Sequence, residues 1–136
     1  MKPSVGPVFP EPLSTPEDVE ARLLKPEAVD VDEALGYVFQ AITLTRHRLG
    51  GHVPLIGFAG APWTLMSYAV EGKGSKTWNK AKAMLYTHPD AAHQILEAVT
   101  QVTVKYLVGQ VHAGAQALQV CRGRGACGPE GRRNVN

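Results

Sequence analysis

One stretch limits what this chain can fold into more than any other. Residues Val53–Gly72 read Val-Pro-Leu-Ile-Gly-Phe, then Ala-Gly-Ala-Pro, then Trp-Thr-Leu-Met-Ser-Tyr-Ala-Val-Glu-Gly. Val53 to Phe58 is apolar, of strand length and without polar alternation, which predicts a strand buried on both faces in a parallel sheet. Small residues then turn the chain. Pro62 opens a helix at the one position where its missing N–H has no partner to lose. A strand, a tight turn and a helix make half of a βαβ unit. In such units ligands sit at the carboxyl end of the strand and in the turn after it. Chemistry is therefore expected at this stretch.

The rest of the chain supplies the other elements of an α/β fold. Residues 1–14 are proline-rich and aperiodic, and are expected to form an extended lead-in or displaced linker. Thr15-Pro16-Glu17-Asp18 has the cap, proline and acids of a helix start, for a short helix ending near Leu24. Asp30 and Glu33 form a capping box for a longer helix. Its stripe is Leu35, Val38, Ile42 and Leu49, and Gly50-Gly51 stops it. After the Pro62 helix, Glu71 to Ser75 reads as a flexible loop. Helices are expected over about Lys76 to Tyr86, with Trp78, Ala81, Met84 and Leu85 on one side, and from Thr87-His88-Pro89-Asp90 to His112. The long helix has the stripe Ala92, Ile95, Val99, Val102, Tyr106 and Leu107. Gly114 ends it, and Ala115 to Val120 is expected as a second strand. Two strands bracketing helices imply a right-handed parallel crossover. Two parallel strands do not complete a sheet, and a closed (β/α)8 barrel takes about 250 residues. The expected fold is a slice of an α/β protein, with no internal repeat.

Composition narrows the function classes. The 136 residues are 44% hydrophobic and 19% charged, values of a globular chain. No run of 18 apolar residues is present, and Met1–Pro12 lacks the apolar centre of a signal peptide, so a cytosolic or nuclear place is expected. The net charge of +2 is unevenly placed: residues 121–136 carry four arginines against Glu130, and the remainder is slightly acidic. A Gly/Arg tail expected to be disordered is not a folded basic face, which argues against nucleic acid. Cys121 and Cys127 form a lone C-x5-C pair, a poor zinc pattern, and are expected as free thiols.

Each candidate site has a structural alternative. Gly72-Lys73-Gly74-Ser75 fails the phosphate-loop pattern, having Ser67 where the first glycine belongs and Gly74 where the hydroxyl belongs. Gly57, Gly60 and the helix start at Pro62 either present amides to an anion or let strand and helix pack closely. His47, His52, His88, His93 and His112 lack the i,i+4 spacing of paired ligands and read as surface or capping residues. Tyr68 either packs as a core tyrosine or offers its hydroxyl to a ligand or a carboxylate. Phe58, at the strand end, is a packing residue or a pocket wall.

The sixteen residues Gly57–Gly72 closely resemble a signature of the uroporphyrinogen decarboxylase family. Leu35-Gly-Tyr-Val-Phe-Gln-Ala-Ile-Thr-Leu-Thr-Arg, Tyr106-Leu-Val-Gly-Gln-Val and Ala113-Gly-Ala-Gln-Ala-Leu-Gln look like its animal cytosolic members, and the resemblance runs over about residues 7–120. It implies a (β/α)8 barrel and a homodimer, with no metal or organic cofactor. It implies a carboxy-lyase of haem biosynthesis, converting the four acetates of uroporphyrinogen III to methyls in coproporphyrinogen III. By the same resemblance Tyr68 binds the tetrapyrrole substrate and Phe58 lines its cleft. Decarboxylation at a pyrrole acetate needs a protonated pyrrole, stabilised by a nearby carboxylate, while arginines hold the other acidic groups. The family's Arg-Gln-Ala-Gly-Arg motif and the segments bearing its essential aspartate, serine and histidine are not in this sequence. Residues 121–136 switch abruptly to Gly, Arg and Cys. The expectation is a truncated, inactive piece with no retained catalytic residue, or a splice product that associates with full-length subunits. Zinc-dependent corrinoid methyltransferases share the barrel, but no cysteine lies within residues 7–120 to match their zinc ligands.

Overall fold

The computed structural model describes residues 8–121. Thr15 caps the first helix, α1 (Pro16–Arg22), in a full capping box: its hydroxyl accepts from the Asp18 amide, and the Asp18 carboxylate accepts from the Ser14 and Thr15 amides. A 3-10 turn, Pro26–Ala28, leads to α2 (Val31–Leu49). Asp30 caps α2 by accepting from the Asp32 and Glu33 amides, and Gly50 ends it in the left-handed conformation at φ 56°. Then come β1 (Ile56–Gly60), α3 (Pro62–Glu71), α4 (Asn79–Thr87), α5 (Pro89–His112) and β2 (Ala117–Cys121).

The two strands pair in parallel, Ile56 opposite Ala117 through Gly60 opposite Cys121. Parallel neighbours cannot be joined by a hairpin; here the crossover is three helices, α3, α4 and α5. This mixed arrangement, with one strand pair and its helices, is that of a partial (β/α)8 barrel, the fold that the resemblance implies.

The apolar core lies among the helices. Val19 of α1, Met66 and Val70 of α3, Ala81 and Met84 of α4 and Ala91, Ala92 and Ile95 of α5 form one buried cluster, with Trp63, Leu85 and Val99 packed against it. Met66 and Ile95 are 0% exposed, and each such side chain contributes about 1.5–3 kcal/mol. α2 lies along the other side of α5. Gly109 admits the Phe39 ring there, since a Cβ on it would clash with that ring, and the Thr43 hydroxyl donates to Ala113 O at 2.9 Å.

Several boundaries differ from those expected, each for a local reason. β1 begins at Ile56 and not at Val53, because the Leu55 amide is taken by the Gln116 side chain at 3.2 Å. β1 is also not buried on both faces: Gly57 and Ala59 are buried, while Ile56 and Phe58 are 58% exposed. Helices cover only one side of the sheet. α4 starts at Asn79, three residues after Lys76, because the Ser75 hydroxyl accepts from the amides of Thr77 and Trp78. Trp78 is therefore no residue of that helix; it sits before it at φ 56°, in the left-handed region.

Residues 8–14 are not a displaced linker. Val8 bridges Lys73, the Phe9 amide donates to Gly72 O at 2.7 Å, and the Leu13 amide donates to Ala69 O at 2.9 Å. Arg22 fastens the segment by donating to Glu11 O and Pro12 O while pairing with Asp18 at 2.6 Å. The loop after α3 is accordingly tied to this segment at Gly72 and Lys73. Cys121 is disulfide-bonded, not a free thiol. The tail expected to be disordered, from Arg122 on, lies outside the described residues, as does the lead-in up to Pro7.

Candidate functional site

Strand alternation sorts the residues of β1 by face. A Cβ on Gly57 would lie 3.1 Å from Ala115 Cβ and 2.5 Å from Oε1 of Gln110 on α5, so Gly57 and Ala59 face the helices. Ile56 and Phe58 face the other way, beside their ladder partners Ala117 and Gln119. In a (β/α)8 barrel the helices form the outer ring, so the helix-free face is the lumen side. Phe58 stands on that face, at the middle of its strand and not at the strand end expected from the sequence.

The turn after β1 is built for close approach. A Cβ on Gly60 would come within 2.9 Å of Leu65 Cδ2, so the glycine lets the first turn of α3 fold back on the strand. Of the two roles open to Gly57 and Gly60, both serve close packing here. Ala61 caps α3 without a side-chain bond, and its amide donates to Cys121 O at 2.8 Å. The Thr64 hydroxyl donates to the same carbonyl at 3.4 Å. The carboxyl ends of both strands and the start of α3 are thus sewn together at one place.

Tyr68 lies on the second turn of α3, half-buried. Its ring meets the Trp78 ring edge-on at 5.0 Å and 73°, and it passes under Gly74. Trp78 is set by two devices: the Ser75 hydroxyl accepts from its amide at 3.0 Å, and Glu71 caps α4 from outside by accepting from the Lys80 amide at 2.8 Å. No hydrogen bond or ring contact joins Phe58 to Tyr68 among the described residues. The structure places one on the sheet's open face and the other in the α3–α4 elbow, with the strand-to-helix turn between them.

The residue that sequence reasoning missed is Gln110. It is 2% exposed, and it grips the backbone of Phe58 at both polar groups: the Phe58 amide donates to Gln110 Oε1 at 2.9 Å, and Gln110 Nε2 donates to Phe58 O at 2.9 Å. The available signal was positional. Gln110 follows Tyr106 by four and Leu107 by three, which puts an amide on the apolar stripe of α5.

Among the described residues no group of three or more His, Cys, Asp or Glu could hold a metal ion, and no helix is long and apolar enough to cross a membrane. The carboxyl end of β1 leads into a fixed turn, with Phe58 exposed on the sheet's open face and the half-buried Tyr68 in the α3–α4 elbow.

A profile of the uroporphyrinogen decarboxylase (URO-D) family matches residues 1–128. The chain is 59% identical over 127 residues to uroporphyrinogen decarboxylase of Danio rerio, covering 93% of this chain and 34% of that protein. With the Homo sapiens protein of that name it shares 60% over 131 residues, 96% of this chain and 35% of the relative. With that of Salinibacter ruber it shares 59% over 115 residues, 85% and 31%. The chain spans about a third of the length of these relatives, and over that third it belongs to the uroporphyrinogen decarboxylase family.

Proposed function

We propose that this chain supplies one wall of the tetrapyrrole cleft of a uroporphyrinogen-decarboxylating carboxy-lyase of haem biosynthesis. Its product would be coproporphyrinogen III, formed by loss of four carboxyl groups as CO2. The observation that carries the reading is Phe58 on the helix-free face of a strand whose following turn and helix bear the family's signature. In this reading Phe58 is the apolar wall against a pyrrole ring. The Tyr68 hydroxyl donates to a carboxylate of the substrate, and the Trp78 ring braces the tyrosine. The acid–base and charge-holding groups of the reaction come from elsewhere. Arg22 is engaged with Glu11, Pro12 and Asp18, and Arg46 lies along Gly114. Turnover thus requires segments beyond those of this chain.

Titration of the purified chain with uroporphyrin, followed by the porphyrin's absorbance, tests the wall. Tyr68→Phe is expected to weaken binding about tenfold, the effect of one lost hydrogen bond to a charged group. Absence of binding by the unmodified chain would overturn the reading. Uroporphyrinogen incubated with the chain is expected to yield no coproporphyrinogen, and turnover would show that this chain is sufficient after all.

A second reading has its own support. Ile56 and Phe58 on one face and Leu118 and Val120 on the other are all exposed, which favours a non-catalytic piece that pairs with an intact subunit. Co-purification with an intact relative separates the two readings.

A further inference from the structure

We propose that Gln110 is a positioning residue for the cleft wall: it sets the pose of Phe58 by holding both polar groups of that residue's backbone from the outer side of the sheet. The proposal rests on the reading of Phe58 as a substrate-facing residue.

Alternate residues of a strand turn their N–H and C=O to opposite edges. The Ala61 amide donates to Cys121 O, so Gly57 and Ala59 also address β2, and Phe58 addresses the other edge. There both groups of Phe58 are taken by one side-chain amide, at 2.9 Å each. A primary amide is the side-chain group that can accept and donate in this way from one planar end. The amide reaches the edge by crossing Gly57, where a Cβ would lie 2.5 Å from Oε1. Gly57 and Gln110 are therefore two halves of one device. At 2% exposure the amide is shielded from water, so losing it would leave two polar groups of Phe58 needing new partners. The consequence reaches the site: an ungripped Phe58 shifts the aromatic side chain that β1 places at the middle of the open face.

The test uses the whole chain. Amide hydrogen exchange is read at Phe58 and, as an internal reference, at Ala61, while uroporphyrin binding is titrated in parallel. Gln110→Leu keeps the bulk and removes both polar atoms. It is expected to raise exchange at Phe58 about tenfold relative to Ala61 and to weaken porphyrin binding by a similar factor. Gln110→Glu should mimic the amide only while its carboxyl is protonated. Its Phe58 protection and porphyrin affinity should then approach the unmodified chain's in acid and fall as the carboxyl ionises, whereas a merely space-filling residue would give no such profile. The proposal is overturned if Phe58 protection is unchanged in Gln110→Leu, if Phe58 and Ala61 lose protection equally, or if affinity stays constant while the grip is lost. If the unmodified chain binds no porphyrin, the reading of the cleft fails, and the exchange data judge the grip separately.

Discussion

At the scale of single residues, the same amino acid has opposite meanings according to what lies above its Cα. Gly57 sits under Gln110, Leu118 and Ala115, with a Cβ predicted at 2.5, 3.0 and 3.1 Å from them. Gly57→Ala is expected to cost about 1–3 kcal/mol, the usual range for overpacking. Gly36 lies inside α2 with nothing within 4 Å of its Cβ position, so Gly36→Ala should stabilise by about 0.5–1 kcal/mol through backbone entropy alone. Urea unfolding of the two variants beside the unmodified chain checks both signs, and equal effects would show that the clash at Gly57 relaxes freely. Trp78 is the third special residue. It occupies a left-handed backbone region that bulky side chains rarely adopt, and its surroundings hold it there, the Ser75 hydroxyl on one side and the Tyr68 ring on the other. Nothing in its sequence context distinguishes it from a core tryptophan at helical spacing.

At the scale of elements, caps were the most legible feature. Thr15 and Asp30 start their helices as their residue types require, and Gly50 ends α2. The cap of α4 was not legible, because it comes from Glu71 on the preceding helix and not from the residue before α4. The α1 cap carries a pH dependence. The Ser14 amide first, then the Thr15 amide and Arg22, hold the Asp18 carboxyl below its ordinary value of 3.8. A lowered folded pKa means that the carboxylate's contribution is fully present above the unfolded value and is lost as pH falls through the folded one. The melting-temperature gap between the unmodified chain and Asp18→Asn is therefore expected to be constant well above the ordinary value and to close as pH falls through the lowered one. A gap independent of pH would show that the cap acts through geometry alone. The same cap matters beyond α1, since Arg22 links Asp18 to the carbonyls of Glu11 and Pro12 and so fastens residues 8–14 beside the loop that carries Lys73.

At the scale of the whole molecule, the described residues have a helical core and an uncovered sheet. The buried cluster joins α1, α3, α4 and α5, whereas β2 is exposed along most of its length. Leu118 and Val120 pair with Gly57 and Ala59, so they share the helix side of the sheet, yet no described helix covers them. The chain is expected to self-associate through this surface. Sedimentation velocity over a range of concentrations should show it, and Leu118→Lys with Val120→Lys should lower the association constant about tenfold or more. A monomer at all concentrations would mean that this surface is satisfied otherwise.

By itself the sequence determined the order and nature of the elements, from Thr15 to Val120, with the strand–turn–helix inside Val53–Gly72. Those properties are local: caps, proline and glycine positions and helical spacing act within a few residues of themselves. It also carried the family, which the match over residues 1–128 bears out. Tertiary structure alone decided which face of β1 is open, where Trp78 stands against Tyr68, and that residues 8–14 pack against Gly72. It alone joined Gln110 to Phe58, a pair 52 residues apart in the chain. A polar residue on an apolar helical stripe shows that a partner must exist, but only the packing of α5 across the strand pair chooses the backbone it holds. The Val53–Gly72 stretch is thus anchored at Phe58, whose backbone is held by a residue that no local pattern connects to it.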